Sequence, residues 1–180
     1  MRTDRLAREY DFHVLYTVFP LHPDVPAEGM TLADLFRVPE HQLAEMRARL
    51  ENLMAAEGLP YGDRTHTYNS RLAQELAKWA DATVPGSEIH GALYRAYFVD
   101  NTNLADREAL IRVATSVGLP ASEAREVLEG RSFREAVDAD WQRARAMGVT
   151  GVPTFIVGDR GVVGAQPYEV LEQLVLGEGR

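Results

Sequence analysis

Between residues 40 and 147, apolar side chains recur every three or four positions, which is the spacing of amphipathic helices. Glycine or proline interrupts this pattern at several points, and each interruption marks a predicted helix end. The sequence therefore predicts a block of helices in the middle of the chain: 40–57, 69–84, 88–98, 106–117, 121–128 and 133–147. Ser87 and Ser132 are placed to cap the third and the sixth of these helices.

Two other stretches have the composition of β-structure. Residues 11–19 are rich in Phe, Val, Tyr and Thr and predict a buried strand that stops at Pro20. Near the carboxyl end, 155–157 and 162–163 flank a Gly-Asp-Arg-Gly sequence, which is typical of a β-hairpin. Pro167 suits the first turn of a last helix. The predicted order is strand, helical block, long helix, hairpin and helix, with loops at 21–29 and 61–68.

Composition favours one ordinary globular core and excludes several classes of protein. The chain has 180 residues, of which 46% are hydrophobic and 26% charged. A net charge of −8 argues against nucleic acid as a partner, because nucleic-acid-binding surfaces are usually basic. No apolar stretch approaches the roughly 18 residues needed to cross a bilayer, and Met1–Tyr10 lacks a signal peptide's apolar core. We therefore expect a cytoplasmic protein without a membrane partner.

The sequence contains no cysteine, which excludes disulfides, thiolate metal sites and thiol–disulfide exchange by the chain itself. The five histidines show no metal-ligand spacing, and no nucleophile elbow, zinc helix or phosphate-binding loop is present. We therefore expect no metal, no cofactor and no catalytic residue here. An aromatic stripe at Tyr94, Tyr97 and Phe98 is typical of a core, and a ligand pocket is the alternative.

Pro153 opens the last apolar run, where a residue without an N–H fits the start or the edge of a strand. Gly151 before it and Thr154 after it are small, so the backbone of Val152 is free to pair with an extended peptide or another ligand. X-Pro statistics alone favour a trans Val152–Pro153 bond, since cis is found in about 5–6% of such bonds.

The run 151–157, followed by 158–167, resembles the end of DsbA-family thioredoxin-fold proteins, especially the FrnE-like branch. A second match lies at 19–24 with Glu28-Gly29 after it, and 69–73 and 96–98 fit the helical insertion of that family. The resemblance covers nearly the whole chain in order. It implies an α/β, DsbA-like thioredoxin fold, in which 1–38 and 131–180 form an incomplete thioredoxin-like domain and 39–130 form the helical insertion.

The same resemblance implies where a substrate would bind. In the family, the proline matching Pro153 is cis and lies against the redox site. The expected partner is a peptide or a protein thiol or disulfide. By resemblance, the substrate-binding residues are Val152, Pro153, Thr154, His22 and Gln166. The family's first strand and Cys-x-x-C motif should lie upstream of Arg5–Tyr10, so we expect both to be missing from this chain.

Three functional interpretations follow. The first is a FrnE-like thiol–disulfide oxidoreductase whose active-site strand is lacking here through a misplaced start, truncation or decay, leaving a redox-inactive chain. The second is the related branch of glutathione transferase kappa and 2-hydroxychromene-2-carboxylate isomerase, which resembles this fold, binds glutathione and uses a serine. The third is a non-catalytic protein that keeps a peptide groove beside Pro153.

A missing first strand would leave the sheet open, because in the thioredoxin arrangement this strand lies between residues 12–19 and the hairpin. Unpaired strand edges are prone to pair with other chains. Either the two halves of the sheet close on each other, or the helical block alone holds the fold, or a second copy covers the edges. Of these, the sequence favours a homodimer.

Overall fold

A computed structural model describes residues 2–177, and the chain divides into two compact units. The first unit comprises Met1–Leu21 and Asp138–Arg180, and the second comprises His22–Val137. As in the expected thioredoxin-like domain, the two ends of the chain belong to one unit. The expected domain limits of 1–38 with 131–180 and of 39–130 stay a prediction.

Helices dominate the described residues, and the strands form two small antiparallel sheets. The elements in chain order are α1 (Arg2–Tyr10), β1 (Met30–Thr31), α2 (Leu32–Phe36), α3 (Glu40–Ala56), β2 (His66–Thr67), α4 (Arg71–Thr83), α5 (Ile89–Phe98), α6 (Arg107–Ser116), α7 (Ala121–Gly130), α8 (Arg134–Ala146), β3 (Thr154–Val157), β4 (Arg160–Val163) and α9 (Tyr168–Leu176). Within this part of the chain, no helix is long and apolar enough to cross a membrane.

The predicted helical block is confirmed, with ends that shift by a few residues. Asp106 caps α6, since its side chain accepts hydrogen bonds from the N–H groups of Glu108 and Ala109. The predicted Ser87 cap is wrong. Glu88 occupies the cap position of α5, while the N–H of Ser87 donates to the Val84 carbonyl and keeps the serine in the preceding turn.

The core of the second unit lies among α4, α5, α6 and α7. Leu76, Ile89, Leu110 and Leu128 are almost completely buried there, on the apolar faces that the helical spacing predicted. The short strand β2 lies within the predicted loop 61–68, and β1 directly follows the predicted loop 21–29; the two strands pair through Met30 and Thr67. A two-residue ladder carries too little periodicity to be recognised in a sequence.

The predicted strand at 11–19 is wrong, because the segment 12–20 has no regular secondary structure. A strand requires a partner for its backbone groups, and no strand of the described residues pairs with this segment. Instead, the N–H of Val18 donates to Asp140 Oδ2 at 3.0 Å. The segment also fails to bury its apolar side chains, since Val14 is 38% and Leu15 71% exposed.

The charged start of the chain is a helix. Arg5 donates to Glu9 one turn later at 2.8 Å, which stabilises α1, and Leu6 is the buried residue of this helix. Within the first unit, α1 packs against α9. The Arg5 guanidinium lies 4.1 Å from the centre of the Tyr168 ring, and the Tyr168 hydroxyl donates to Glu9. That hydrogen bond raises the pKa of Tyr168 to about 12.

Candidate peptide-binding site

The candidate site is built on the hairpin of β3 and β4. The two strands are joined by Gly158 and Asp159, and Val157 pairs with Arg160 next to this two-residue loop. Gly158 has φ +63°, a conformation that glycine adopts without a steric penalty. At the open end, the N–H of Gly164 donates to the Pro153 carbonyl at 2.8 Å and extends the ladder by one pair.

This register determines which backbone groups of β3 face outward. In an antiparallel pair, every second residue bonds to the partner strand and the residues between turn their backbone groups to the other side. The backbone groups that bond to β4 are those of Pro153, Phe155 and Val157. The N–H and C=O groups of Thr154 and Ile156 therefore point to the outer edge. No other strand of the described residues pairs with that edge.

Apolar side chains on the hairpin and directly before it remain partly uncovered. Val152 is 49%, Ile156 38% and Val163 58% exposed. Ile156 and Val163 line an open depression of about 370 Å³, to which Met147 and Val149 also contribute. The outer edge of β3 therefore combines unpaired main-chain groups with an apolar surface.

Three of the five residues implied by the resemblance to bind substrate, Val152, Pro153 and Thr154, are contiguous at the start of β3. The Val152–Pro153 peptide bond is cis. The hydroxyl of Thr154 donates to the Gly151 carbonyl at 2.7 Å, which fixes the turn before the strand. The backbone of Val152 thus lies directly before the two outward-facing residues, Thr154 and Ile156.

The two other expected binding residues lie in different surroundings. The side-chain amide of Gln166 donates to the Val163 carbonyl, and the backbone carbonyl of Gln166 accepts from Arg2 at 2.6 Å. Both groups therefore already have partners in the first unit. His22 belongs to the second unit, where it is exposed and its carbonyl accepts from the N–H of Val25. The binding roles of both residues stay predictions.

The exposed apolar residues concentrate in the unit that contains this edge. Of the 16 large apolar side chains that are more than one third exposed among the described residues, 10 belong to the first unit. That unit supplies only four of the buried apolar residues: Leu6, Ala144, Leu171 and Leu174. Five of these ten lie on the hairpin or beside it: Met147, Val152, Ile156, Val157 and Val163. An exposed apolar cluster next to an open strand edge is typical of a binding site.

Comparison with known proteins identifies the family. A model of the DSBA-like thioredoxin domain matches residues 1–175. The chain belongs to this DSBA-like family. A probable DsbA oxidoreductase from Streptomyces coelicolor has a similar structure, with a TM-score of 0.90 and 27% identity, covering 98% of this chain and 81% of that one. The predicted DsbA-like thioredoxin fold is confirmed.

Two further proteins are similar to this chain. The uncharacterized protein YwbO from Bacillus subtilis is 31% identical over 117 residues, which cover 63% of this chain and 56% of YwbO. The chain thus spans about half the length of this curated relative. A 2-hydroxychromene-2-carboxylate isomerase shares the fold at 21% identity with a TM-score of 0.65, covering 98% of this chain and 84% of that one.

Some features of the site could not be found by sequence reasoning. Asp140 accepts a hydrogen bond from the N–H of Val18, which lies 122 residues away in sequence. The outward direction of the Thr154 and Ile156 backbone groups depends on the hairpin register. Among the described residues, no cluster of His, Asp and Glu could hold a metal ion.

Proposed function

We propose that this chain binds an extended peptide along the outer edge of β3, beside cis-Pro153, and performs no thiol–disulfide exchange itself. The observation that carries the proposal is the unpaired backbone of Thr154 and Ile156, flanked by the exposed side chains of Val152 and Ile156. A peptide that adds a strand to a sheet edge gains affinity from main-chain hydrogen bonds and specificity from alternate side chains.

The composition of the edge indicates which peptides bind. β3 reads Thr-Phe-Ile-Val and contains no charge, so a charged side chain on the peptide would gain no ion pair from this strand. Alternate peptide residues would lie beside Thr154 and Ile156 on one face of the hairpin and beside Phe155 and Val157 on the other face. The three apolar residues among these four favour apolar side chains on the peptide. Each main-chain hydrogen bond would contribute about 0.5–1.5 kcal/mol.

We further propose that the chain represents the FrnE-like branch, whose substrates are protein thiols and disulfides. The lack of any cysteine in the sequence supports a binding role without redox chemistry, because the nucleophile in disulfide exchange is a thiolate. A glutathione-binding function like that of the isomerase branch is the alternative, and glutathione is therefore a competitor in the binding experiment below.

In the standard insulin-reduction assay with dithiothreitol, the purified 180-residue chain is expected to give the same rate as a protein-free control. The reason is that neither a thiolate nor a disulfide is available in the sequence to carry the exchange. Turbidity is recorded at several protein concentrations. A rate that rises in proportion to the chain's concentration would contradict the proposal.

Peptide binding is measured by the fluorescence anisotropy of a fluorescein-labelled octapeptide in which valine and threonine alternate. We expect saturable binding, because the peptide can donate to and accept from Thr154 and Ile156. The matched control is the same octapeptide N-methylated at alternate residues, which keeps the side chains and removes the donors along one edge. Two such control peptides are made, and each is methylated along a different edge of the strand. The peptide whose methylated edge faces β3 should bind at least about fivefold more weakly than the parent.

Glutathione at millimolar concentration should leave the labelled octapeptide bound. If glutathione displaces it, the glutathione-binding alternative is favoured. If both methylated octapeptides bind as tightly as the parent, the octapeptide does not add a strand to β3 and the proposed mode of binding is wrong.

A further inference from the structure

The second unit contains an aromatic cluster that the proposed function does not use. Tyr94 and Phe98 lie one turn apart on α5, and their rings are stacked with centroids 6.1 Å apart. Tyr97 packs edge-on against Phe98 at 4.9 Å, and Tyr61 lies 6.5 Å from Phe98. Tyr94 is 55% exposed, so the cluster reaches the surface and is not simply part of the core.

Arg64 lies over this cluster. Its guanidinium carbon is 4.7 Å from the Tyr97 ring centre and 5.1 Å from that of Phe98. The guanidinium forms no hydrogen bond or ion pair with any residue that the structure describes, and its Nε is buried without a partner. The adjacent Asp63 pairs with Arg47 instead, at 3.3 Å. A half-buried cation without a carboxylate is uncommon, because cation–π contact only partly replaces its hydration.

The surroundings hold this cation in place. Gly62 donates to the Phe98 carbonyl at 2.9 Å, and a Cβ at Gly62 would lie 2.0 Å from the Val99 carbonyl oxygen, so the loop fits closely against the end of α5. The N–H of Arg64 donates to the Gly62 carbonyl at 2.9 Å. The hydroxyls of Thr67 and Tyr97 are hydrogen-bonded at 2.8 Å, which fixes the ring under the guanidinium. A group fixed before binding loses little conformational entropy when a ligand arrives.

We propose that Arg64, together with the rings of Tyr94 and Phe98, binds a carboxylate attached to an aromatic or apolar group. The planar guanidinium matches a carboxylate, which can accept two parallel hydrogen bonds. The exposed Tyr94 ring, stacked on Phe98, offers a surface for the apolar part of the same ligand.

The net charge of the second unit favours a carboxylate over a phosphate. Residues 22–137 contain 12 Lys and Arg against 18 Asp and Glu, a net charge of −6. A doubly charged phosphate would be repelled more strongly by this excess than a singly charged carboxylate, and it would gain nothing from the aromatic rings. Arg64 is thus a specific contact within a surface that does not attract anions in general.

Benzoate is the probe, and benzamide is its neutral control of nearly the same shape. In ¹H–¹⁵N spectra of the 180-residue chain, benzoate is expected to shift the Arg64 Nε–Hε signal and the backbone amides of 62–65 in a saturable manner. Benzamide should produce less than about one tenth of the fractional saturation at equal concentration, because only the carboxylate offers a charged acceptor with two oxygens for the guanidinium. Equal shifts from both compounds would overturn the proposal.

Three variants separate the site from general charge effects. Arg64→Gln should weaken benzoate binding at least about tenfold, and Arg64→Lys by an intermediate factor, because lysine keeps the charge and loses the planar fork. Arg112→Gln removes an exposed arginine of the same unit and should leave binding unchanged. Thermal melts of all three confirm that each is folded. Benzoate binding that Arg64→Gln leaves intact, or that Arg112→Gln weakens as much, would refute the assignment.

Acetate separates the contribution of the aromatic rings from that of Arg64, because it carries the carboxylate without an aromatic group. It should bind Arg64 more weakly than benzoate, and Tyr94→Ala should reduce benzoate affinity while leaving acetate affinity unchanged. If Tyr94→Ala lowers both affinities equally, the aromatic surface is not part of the site. The octapeptide experiment involves β3 in the first unit, so failure of either proposal leaves the other standing.

Discussion

Replacing Glu75 with glutamine is expected to lower the free energy of unfolding by about 3 kcal/mol, because it breaks a buried ion cluster. The Glu75 side chain is completely buried. It accepts two hydrogen bonds of 2.7 Å from Arg131 and one of 2.9 Å from Arg71, which connect the start of α4 to the end of α7. Glutamine removes the charge that balances both guanidinium groups. Urea denaturation of the variant and the parent chain measures the difference.

A matched control is available on the surface of the same unit. Glu108 also accepts two hydrogen bonds from one arginine, Arg125, but both side chains are about half exposed. Glu108→Gln should therefore cost less than about 1 kcal/mol. If both variants lose the same stability, burial does not determine the strength of the Glu75 cluster.

The same cluster predicts how stability depends on pH. Burial alone would raise the pKa of Glu75, but the hydrogen bonds from Arg131 and Arg71 outweigh burial, so the pKa lies below its ordinary value. A lowered pKa in the folded state stabilises the fold above the unfolded pKa, near 4.3, and this stabilisation disappears as the pH falls through the folded pKa. Glu75→Gln should therefore flatten the loss of stability on acidification below about pH 4.5.

Amide hydrogens of β3, β4 and α9 are expected to exchange at least about 100 times faster than those of α4 and α6, a difference of roughly 2.7 kcal/mol in opening free energy. The first unit buries only four apolar residues of the described chain and leaves one edge of β3 unpaired, whereas α4 and α6 lie in the large core. Hydrogen exchange followed by NMR measures both groups of amides in one sample.

Light scattering on the same samples tests the predicted homodimer. If a second copy covers the edge of β3, the chain should be dimeric and the hairpin amides should become more protected as concentration rises. Uniform protection in a monomer would instead mean that the hairpin unfolds only together with the helical core. That result would contradict the expected weakness of the first unit.

The helical block could be predicted because its cause is local. Leu76, Leu110 and Leu128 repeat at the spacing of a buried helical face, and Asp106 caps α6 whatever the rest of the chain does. The hairpin was predicted for the same reason, since Gly158 permits the turn that joins β3 and β4.

The remaining features depend on partners that are distant in sequence. The composition of residues 11–19 favours a strand, but a strand forms only when another strand accepts its hydrogen bonds, and Val18 bonds to Asp140 instead. Glu75 gave a local signal through Arg71, four residues before it, whereas its pairing with Arg131 spans 56 residues. The contact of Arg64 with Tyr97 likewise joins a loop to a separate helix.

Replacing Ile156 tests the proposed peptide-binding edge most directly. The N–H of Ile156 points away from β4, so proline at this position removes an outward donor and leaves the β3–β4 ladder intact, as prolines on edge strands do. Ile156→Val is the matched control, because it keeps the donor and most of the apolar surface. Both variants are compared with the parent chain in the octapeptide anisotropy experiment.

Ile156→Pro should weaken octapeptide binding by roughly 5- to 20-fold, since it removes one main-chain hydrogen bond and places a ring where the peptide would lie. Ile156→Val should change binding less than about twofold. The amide signals of β4 should remain in place in both variants and so confirm that the hairpin is intact. Octapeptide binding that is equally tight in Ile156→Pro and Ile156→Val would contradict strand addition at β3.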